Sequence, residues 1–243
     1  MIPARKHRLF ARWFSRQVER QIRRNFSALH VRRLEGLTGA LSEGPVLAFS
    51  NHSSYWDSML VILIGHRLLT ADGYAMMDAA NLQQLPFLGR VGGFGVDLES
   101  PMDGVRGIRY ATALLDRPGR LVWVFPQGKE CPRALPIDNF KPGAAIICKN
   151  TSRCALIPVA FQYELRGGEK PEAFVAIGKP LSVNGDTEAC RLAQEAAIRK
   201  ELKRIDEHLC LPENGDGFEL IFNHRPGKNQ AWPVRALSRL TRY

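Results

Sequence analysis

"AFSNHSSYWDSML" (residues 48–60) places His52 and Asp57 between two apolar runs, "PVLAF" before and "MLVILI" after. The first run reads as a strand over 44–50 and the second as part of a helix over 53–65. His52 then lies in the loop that leaves a strand and enters a helix. In open α/β sheets such loops, at the carboxyl ends of strands, are where ligands bind. Within one continuous helix a gap of five residues would set the two side chains about 140° apart, at 3.6 residues per turn. If His52 precedes the first turn, Asp57 can reach back to the imidazole. Ser50, Asn51 and Ser53 are the candidate N-caps.

Outward from this stretch, short Val/Ile/Phe-rich segments alternate with helical ones. Further strands are expected at 73–79, 92–98, 120–126, 154–163 and 173–181, and further helices at 79–86, 103–116, 142–150 and 187–209. The alternation predicts an α/β fold with a largely parallel or mixed sheet flanked by helices. No internal repeat interrupts it. The simplest division is an amphipathic surface helix over 1–30, one catalytic domain over 31–211 and a basic tail over 212–243.

The 243 residues are 45% hydrophobic and 24% charged, a globular composition able to form a full core without disulfides. The net charge of +10 sits at the ends. Residues 1–34 hold ten Lys/Arg and one acid (+9), residues 224–243 hold five and none (+5), and the body between carries −4. Near the start, Phe10, Trp13, Phe14, Val18, Ile22, Phe26 and Leu29 recur every three or four residues among arginines. Such a stripe suits an anionic membrane surface or the protein's own core, and the basic flank favours the membrane. Nucleic acid is not an expected partner, because the body is acidic and no RNA-binding or zinc-finger pattern occurs.

Five cysteines without a CxxC read as reduced thiols, mostly core fillers, in a cytosolic protein. The six histidines show no HExxH spacing, so neither a metal nor another cofactor is expected. No secretory signal is visible, and no apolar run reaches the roughly 18 residues of a membrane span. The expected location is therefore peripheral, on the cytoplasmic face of a membrane.

An imidazole suits proton removal from a hydroxyl near neutral pH, and a carboxylate on its other nitrogen fixes the tautomer. No GxSxG elbow accompanies His52, so that hydroxyl belongs to a substrate.

"NHSSYWD" (51–57) resembles the first block of the glycerolipid (lysophospholipid) acyltransferase family, Asn-His-x4-Asp. "GGFGVDL" (92–98), "VFPQGKE" (124–130), "FKPGAA" (140–145) and "LIPVAF" (156–161) resemble its later blocks, in order. The resemblance spans about residues 30–180. It implies an O-acyltransferase in which His52 is the general base and Asp57 orients it. The fatty acyl group would come from acyl-CoA or acyl-carrier protein and pass to a lysophospholipid-type or other amphiphilic acceptor. Gln127 and Gly128, in the third-block turn, are the oxyanion candidates.

Departures from the family pattern bear on the acceptor. Leu98 stands where the second block usually has arginine, and Gln127, Lys129 and Glu130 replace the usual glutamate, threonine and arginine. In the family those arginines are associated with the acceptor's phosphate. Leucine and glutamate cannot grip phosphate. The acceptor is therefore expected to be less anionic than glycerol phosphate, or to be held by Lys129, Lys141, Arg106 and Arg109, with Lys141 the first choice. An amino-acid lipid, a glycolipid and a hydroxylated pigment are alternative acceptors, and a non-catalytic lipid binder is the alternative function. Trp56, Met59, Leu60 and the segment 81–95 are the candidate lining of an acyl groove.

Overall fold

The computed structural model describes residues 1–151, 153–182, 185–210 and 217–224. Helix α1 spans Arg8–Asn25, strand β1 Ala28–Arg32, α2 Leu34–Glu43, β2 Val46–Ser50 and α3 Tyr55–Leu63, which runs on into a π-helical turn, Ile64–Leu68. β3 (Asp72–Asp78), α4 (Ala79–Gln84), a 3₁₀ turn (Pro86–Arg90), β4 (Gly93–Val96) and α5 (Pro101–Leu114) follow. β5 (Arg120–Val124), α6 (Gly143–Lys149), β6 (Ala155–Glu164), β7 (Glu172–Ile177), α7 (Thr187–Cys210) and β8 (Phe218–Asn223) complete the described chain.

The eight strands form one sheet in the order β4-β3-β5-β2-β6-β7-β1-β8. The first five run parallel, β7 is antiparallel to β6, β1 is parallel to β7, and β8 is antiparallel to β1. The mixed α/β class thus follows the sequence reading. At the centre of the sheet both faces are covered, which is why β2 is apolar up to its final serine and buried throughout. Along β2, Leu47 and Phe49 pack into one core with residues of α5, α6 and α7. Val46 and Ala48 point the other way, against residues of α1, α2 and α3. This two-sided burial is the period of two expected of a strand.

Several expectations are corrected. The apolar stripe of residues 10–29 is mostly spent inside the molecule: Val18, Ile22 and Phe26 are buried in the core, and Leu29 belongs to β1 rather than to the helix. Arg8, Arg12, Arg16 and Arg20 face outward, and Leu9 and Trp13 remain 74% and 53% exposed. A separate surface helix over 1–30 therefore does not describe this segment, because α1 is part of the sheet's packing. Phe218–Asn223, placed in the tail by the sequence reading, pairs with β1 as an edge strand. The rest of that tail, 225–243, lies outside the described residues. Of the cysteines only Cys148 and Cys190 are buried, while Cys131 and Cys154 are half-buried and Cys210 is exposed. No helix among the described residues is long and apolar enough to cross a membrane.

Candidate active site

His52 lies two residues past the end of β2, and α3 begins at Tyr55. The helix opens on a capping box in which Ser54, not Ser50, Asn51 or Ser53, is the N-cap and Asp57 is the N3 residue. Asp57 therefore looks back past the start of the helix, toward the loop that carries His52. Its Oδ2 accepts from His52 Nδ1 at 2.9 Å and from the backbone N–H groups of Ser53 and Ser54 at 2.6 and 3.0 Å. Its Oδ1 accepts from the Tyr163 hydroxyl at 2.5 Å. Asp57 is fully buried, with 0% exposure. Four donors thus converge on one buried carboxylate at a helix N-terminus.

An anionic acceptor at Nδ1 requires that nitrogen to carry the proton, so Nε2 presents a lone pair. The imidazole stacks on Phe125, with ring centroids 4.4 Å apart. On the Nε2 side Glu130 Oε1 lies 3.9 Å away. Tyr163 is held protonated: burial, then the charge of Asp57, pushes its phenol well above the usual value.

The loop itself is pinned from three sides. The Asn51 amide exchanges two hydrogen bonds of 2.9 Å with the backbone of Phe161, which ties the end of β2 to β6. Gln127 Oε1 accepts from His52 N–H at 2.7 Å, and His52 C=O accepts from Cys131 N–H at 2.7 Å. Both of these come from the segment that follows β5. The end of β2 thus holds its histidine by contacts to both neighbouring strands.

His52 opens on a cavity of about 770 Å³. Its wall follows β3 from Gly73 to Asp78 and includes Met59, Ile62, Met76, Phe87 and Ile108. The five residue-to-residue steps from Gly73 to Asp78 correspond to roughly 16 Å of length. The lining is largely apolar, with Glu130, Lys129 and Lys141 as charged members near His52 in the sequence blocks that surround it.

Of the expected site residues, the structure brings His52, Asp57, Met59, Gly128, Lys129 and Lys141 together, along with much of the 81–95 segment: Asn81, Leu85, Phe87, Leu88, Val91, Gly92 and Gly93 line the cavity. Others lie elsewhere. Leu60 is wholly buried in the core, and Trp56 packs edge-on against Phe26 with ring centroids 4.9 Å apart, so neither lines the cavity. Arg106 and Arg109 are exposed on α5, away from the lining, and Arg106 faces Asp103 at 3.9 Å. Gln127 is taken up in bonding the His52 backbone. Gly128 N–H donates to Phe125 C=O at 3.0 Å, closing the turn rather than facing an oxyanion. Gly128 has φ +73°, and a Cβ there would lie 2.9 Å from Lys141 Cε, so the turn needs glycine both for its backbone and for the lysine laid over it.

Tyr163 and Phe125 were missed from sequence. Tyr163 sits two residues beyond the last block, and no spacing rule joins it to Asp57 across 106 positions.

A buried carboxylate–imidazole pair beside an apolar cavity is an arrangement able to move a proton at a hydroxyl of an apolar substrate. The family described as Acyltransferase matches residues 23–162, more than half of the chain, and the protein belongs to that family. Among solved structures it is similar to the 1-acyl-sn-glycerophosphate (LPA) acyltransferase PlsC of Thermotoga maritima. The identity is 16%, the TM-score is 0.60, and 84% of this chain aligns with 81% of that one. A second structure, the Legionella pneumophila ATPase DotB, has a TM-score of 0.37 at 10% identity, over 74% of this chain and 61% of that one, and carries no argument. No curated protein sequence matches.

Proposed function

We propose that this acyltransferase moves a fatty acyl group from the thioester of acyl-CoA or acyl-carrier protein to a hydroxyl of an amphiphilic, lysophospholipid-type acceptor. The observation that carries the reading is the polarity of the imidazole: Nδ1 is committed to buried Asp57 while the ring lines the apolar cavity. In this reading His52 Nε2 takes the acceptor's hydroxyl proton as the oxygen attacks the thioester carbonyl. The tetrahedral intermediate collapses, the C–S bond breaks, and the imidazolium returns its proton to the leaving thiolate. Asp57 does not touch the reacting atoms. It holds the tautomer and stabilises the imidazolium. The cavity along β3 takes a fatty chain, which sets the polar parts of both substrates at His52.

A less anionic acceptor than glycerol phosphate is favoured by one specific observation: the cationic candidates Arg106 and Arg109 are not at the cavity, and only Lys129 and Lys141 remain. The exposed Leu9 and Trp13 on α1, set among Arg8, Arg12 and Arg16, support peripheral contact with an anionic membrane, where acceptor and product reside.

The test is thiol release from acyl-CoA and from acyl-carrier protein by purified protein, with and without a lyso-lipid acceptor. Release that depends on the acceptor and falls by about 10²–10⁴-fold in His52→Ala is expected, since that is what general-base catalysis contributes. A His52→Ala protein of unchanged activity refutes the reading.

A further inference from the structure

The most unusual charge at the site is Glu130. It flanks the free nitrogen of the base, and within 4.0 Å His52 is its only ionic partner among the described residues. Its side chain is 55% exposed and borders the cavity. A carboxylate in this position disfavours an acceptor with a phosphate beside its hydroxyl, because like charges meet at the base. It favours the opposite charge.

We propose that the acceptor carries an ammonium group next to the reacting hydroxyl, and that Glu130 selects it. This rests on the acyl-transfer reading above and names the acceptor class that reading leaves open. The geometry sets the spacing. The hydroxyl oxygen must come within about 2.6–3.2 Å of Nε2. An ammonium on Glu130 takes a charge-assisted bond of about 2.7–2.9 Å. With both bonds directed into the opening, the two acceptor atoms lie roughly as far apart as Nε2 and Oε1, which are separated by 3.9 Å. That is the spacing of a 1,2- or 1,3-amino alcohol.

The pairing also decides which atom is acylated. An amine held by Glu130 stays protonated and has no lone pair to attack with, so the hydroxyl is the nucleophile and the product is an ester. Lys141 lies over the Gly128 turn, with its Cε 2.9 Å from where a Gly128 Cβ would be. An acidic group further along the head can be met there, which makes a zwitterionic head the best match to the whole opening.

The experiment uses three long-chain 1-O-alkylglycerols that share the same secondary hydroxyl and differ only at the third carbon: hydroxyl, ammonium or phosphate. Acyl-CoA is the donor, thiol release gives kcat/KM, and mass spectrometry separates ester from amide. For the wild-type protein the ammonium acceptor should exceed the neutral one by about tenfold and the phosphate one by about a hundredfold, as expected for a partly screened charge pair near 4 Å. Glu130→Gln should collapse the ammonium-to-neutral ratio to about one, and Glu130→Arg should invert the ammonium-to-phosphate preference. The proposal is overturned if Glu130→Gln leaves the ratio unchanged or lowers all three acceptors by one common factor, since Glu130 would then act on His52 alone. A wild-type preference for phosphate, or an amide product, overturns it equally. Failure of the underlying reading looks different: no acceptor-dependent thiol release with any of the three, in which case both proposals fall.

Discussion

Tyr163→Phe isolates one hydrogen bond. Tyr163 donates to Asp57 Oδ1 at 2.5 Å, on a carboxylate with no exposure to solvent. Its ring also packs against Phe26, with centroids 5.6 Å apart, and phenylalanine keeps that contact. The variant therefore loses a donor without opening a large cavity. A hydrogen bond to a charged group contributes about 1.5–3 kcal/mol. Unfolding in urea at pH 7 should show a loss of that size, read from the midpoint at unchanged slope. Kinetics should change in a way that mere destabilisation would not produce. With the phenol gone, the carboxylate no longer shares its charge and holds the imidazolium more tightly. The acid limb of the pH profile of kcat/KM then moves to higher pH, while kcat at the plateau falls by up to about tenfold as the ring loses its anchor. A Tyr163→Phe protein within about 0.5 kcal/mol of wild type, with an unmoved acid limb, refutes the assignment of Tyr163 as a positioning residue.

Two further outcomes follow from the same coordinates. Gly128→Ala forces an L-residue into φ +73° and sets its methyl against Lys141. The strain should reduce stability by about 1–2 kcal/mol and, by displacing Lys141, raise the acceptor's KM more than it lowers kcat, which steady-state kinetics resolves. Asp72 concerns acid stability. Burial raises its carboxyl, but Lys6 at 2.6 Å and Arg120 at 3.3 Å outweigh burial and hold it below the model-compound value of 3.8. A group depressed in the folded state gives its stability above the unfolded value and loses it as pH falls toward the folded one. Asp72→Asn should therefore lower Tm at pH 7 and show a smaller further loss between pH 5 and pH 2 than wild type. Parallel acid limbs in the two Tm curves would rule this out.

The parts of the fold legible in the sequence are those with two-sided burial. β2, β5 and β6 are continuous apolar runs because α-helices cover both faces, and a run of that kind is readable without context. β1 and β8 were missed for the opposite reason. β8 is an edge strand in which Leu220 stays 48% exposed and its pairing with β1 slips at a bulge, so it has neither a clean alternation nor a continuous run. β1 has a histidine and two arginines in or beside it, and buried His30 meets Glu172 on β7 at 3.0 Å and stacks on Phe174. α1 was read as a helix correctly, but how much of its stripe turns inward was not readable. A stripe of aromatic and aliphatic residues has the same pattern whether it meets lipid or protein, and only the packing of Val18, Ile22 and Phe26 distinguishes the two.

Site legibility divides along the same line. His52 and Asp57 are five residues apart, and the decisive fact, that the helix starts between them at Tyr55, was a stated condition of the sequence reading. Tyr163, Phe125 and Asn51 act through contacts between strands, and their partners are fixed by sheet order rather than by spacing. Glu130 lies between these cases. Its identity was visible as a departure from the family pattern, while its placement beside Nε2 was not. That placement ties the chemistry to the acceptor. The ring is flanked by a carboxylate on each side, Asp57 at Nδ1 and Glu130 beyond Nε2. The two have different tasks in this reading. Asp57 is buried, already supplied with donors, and balances the imidazolium formed in the reaction. Glu130 is exposed and has no such set of partners, so an ammonium on the arriving acceptor can pair with it and leave Asp57 alone to serve the base.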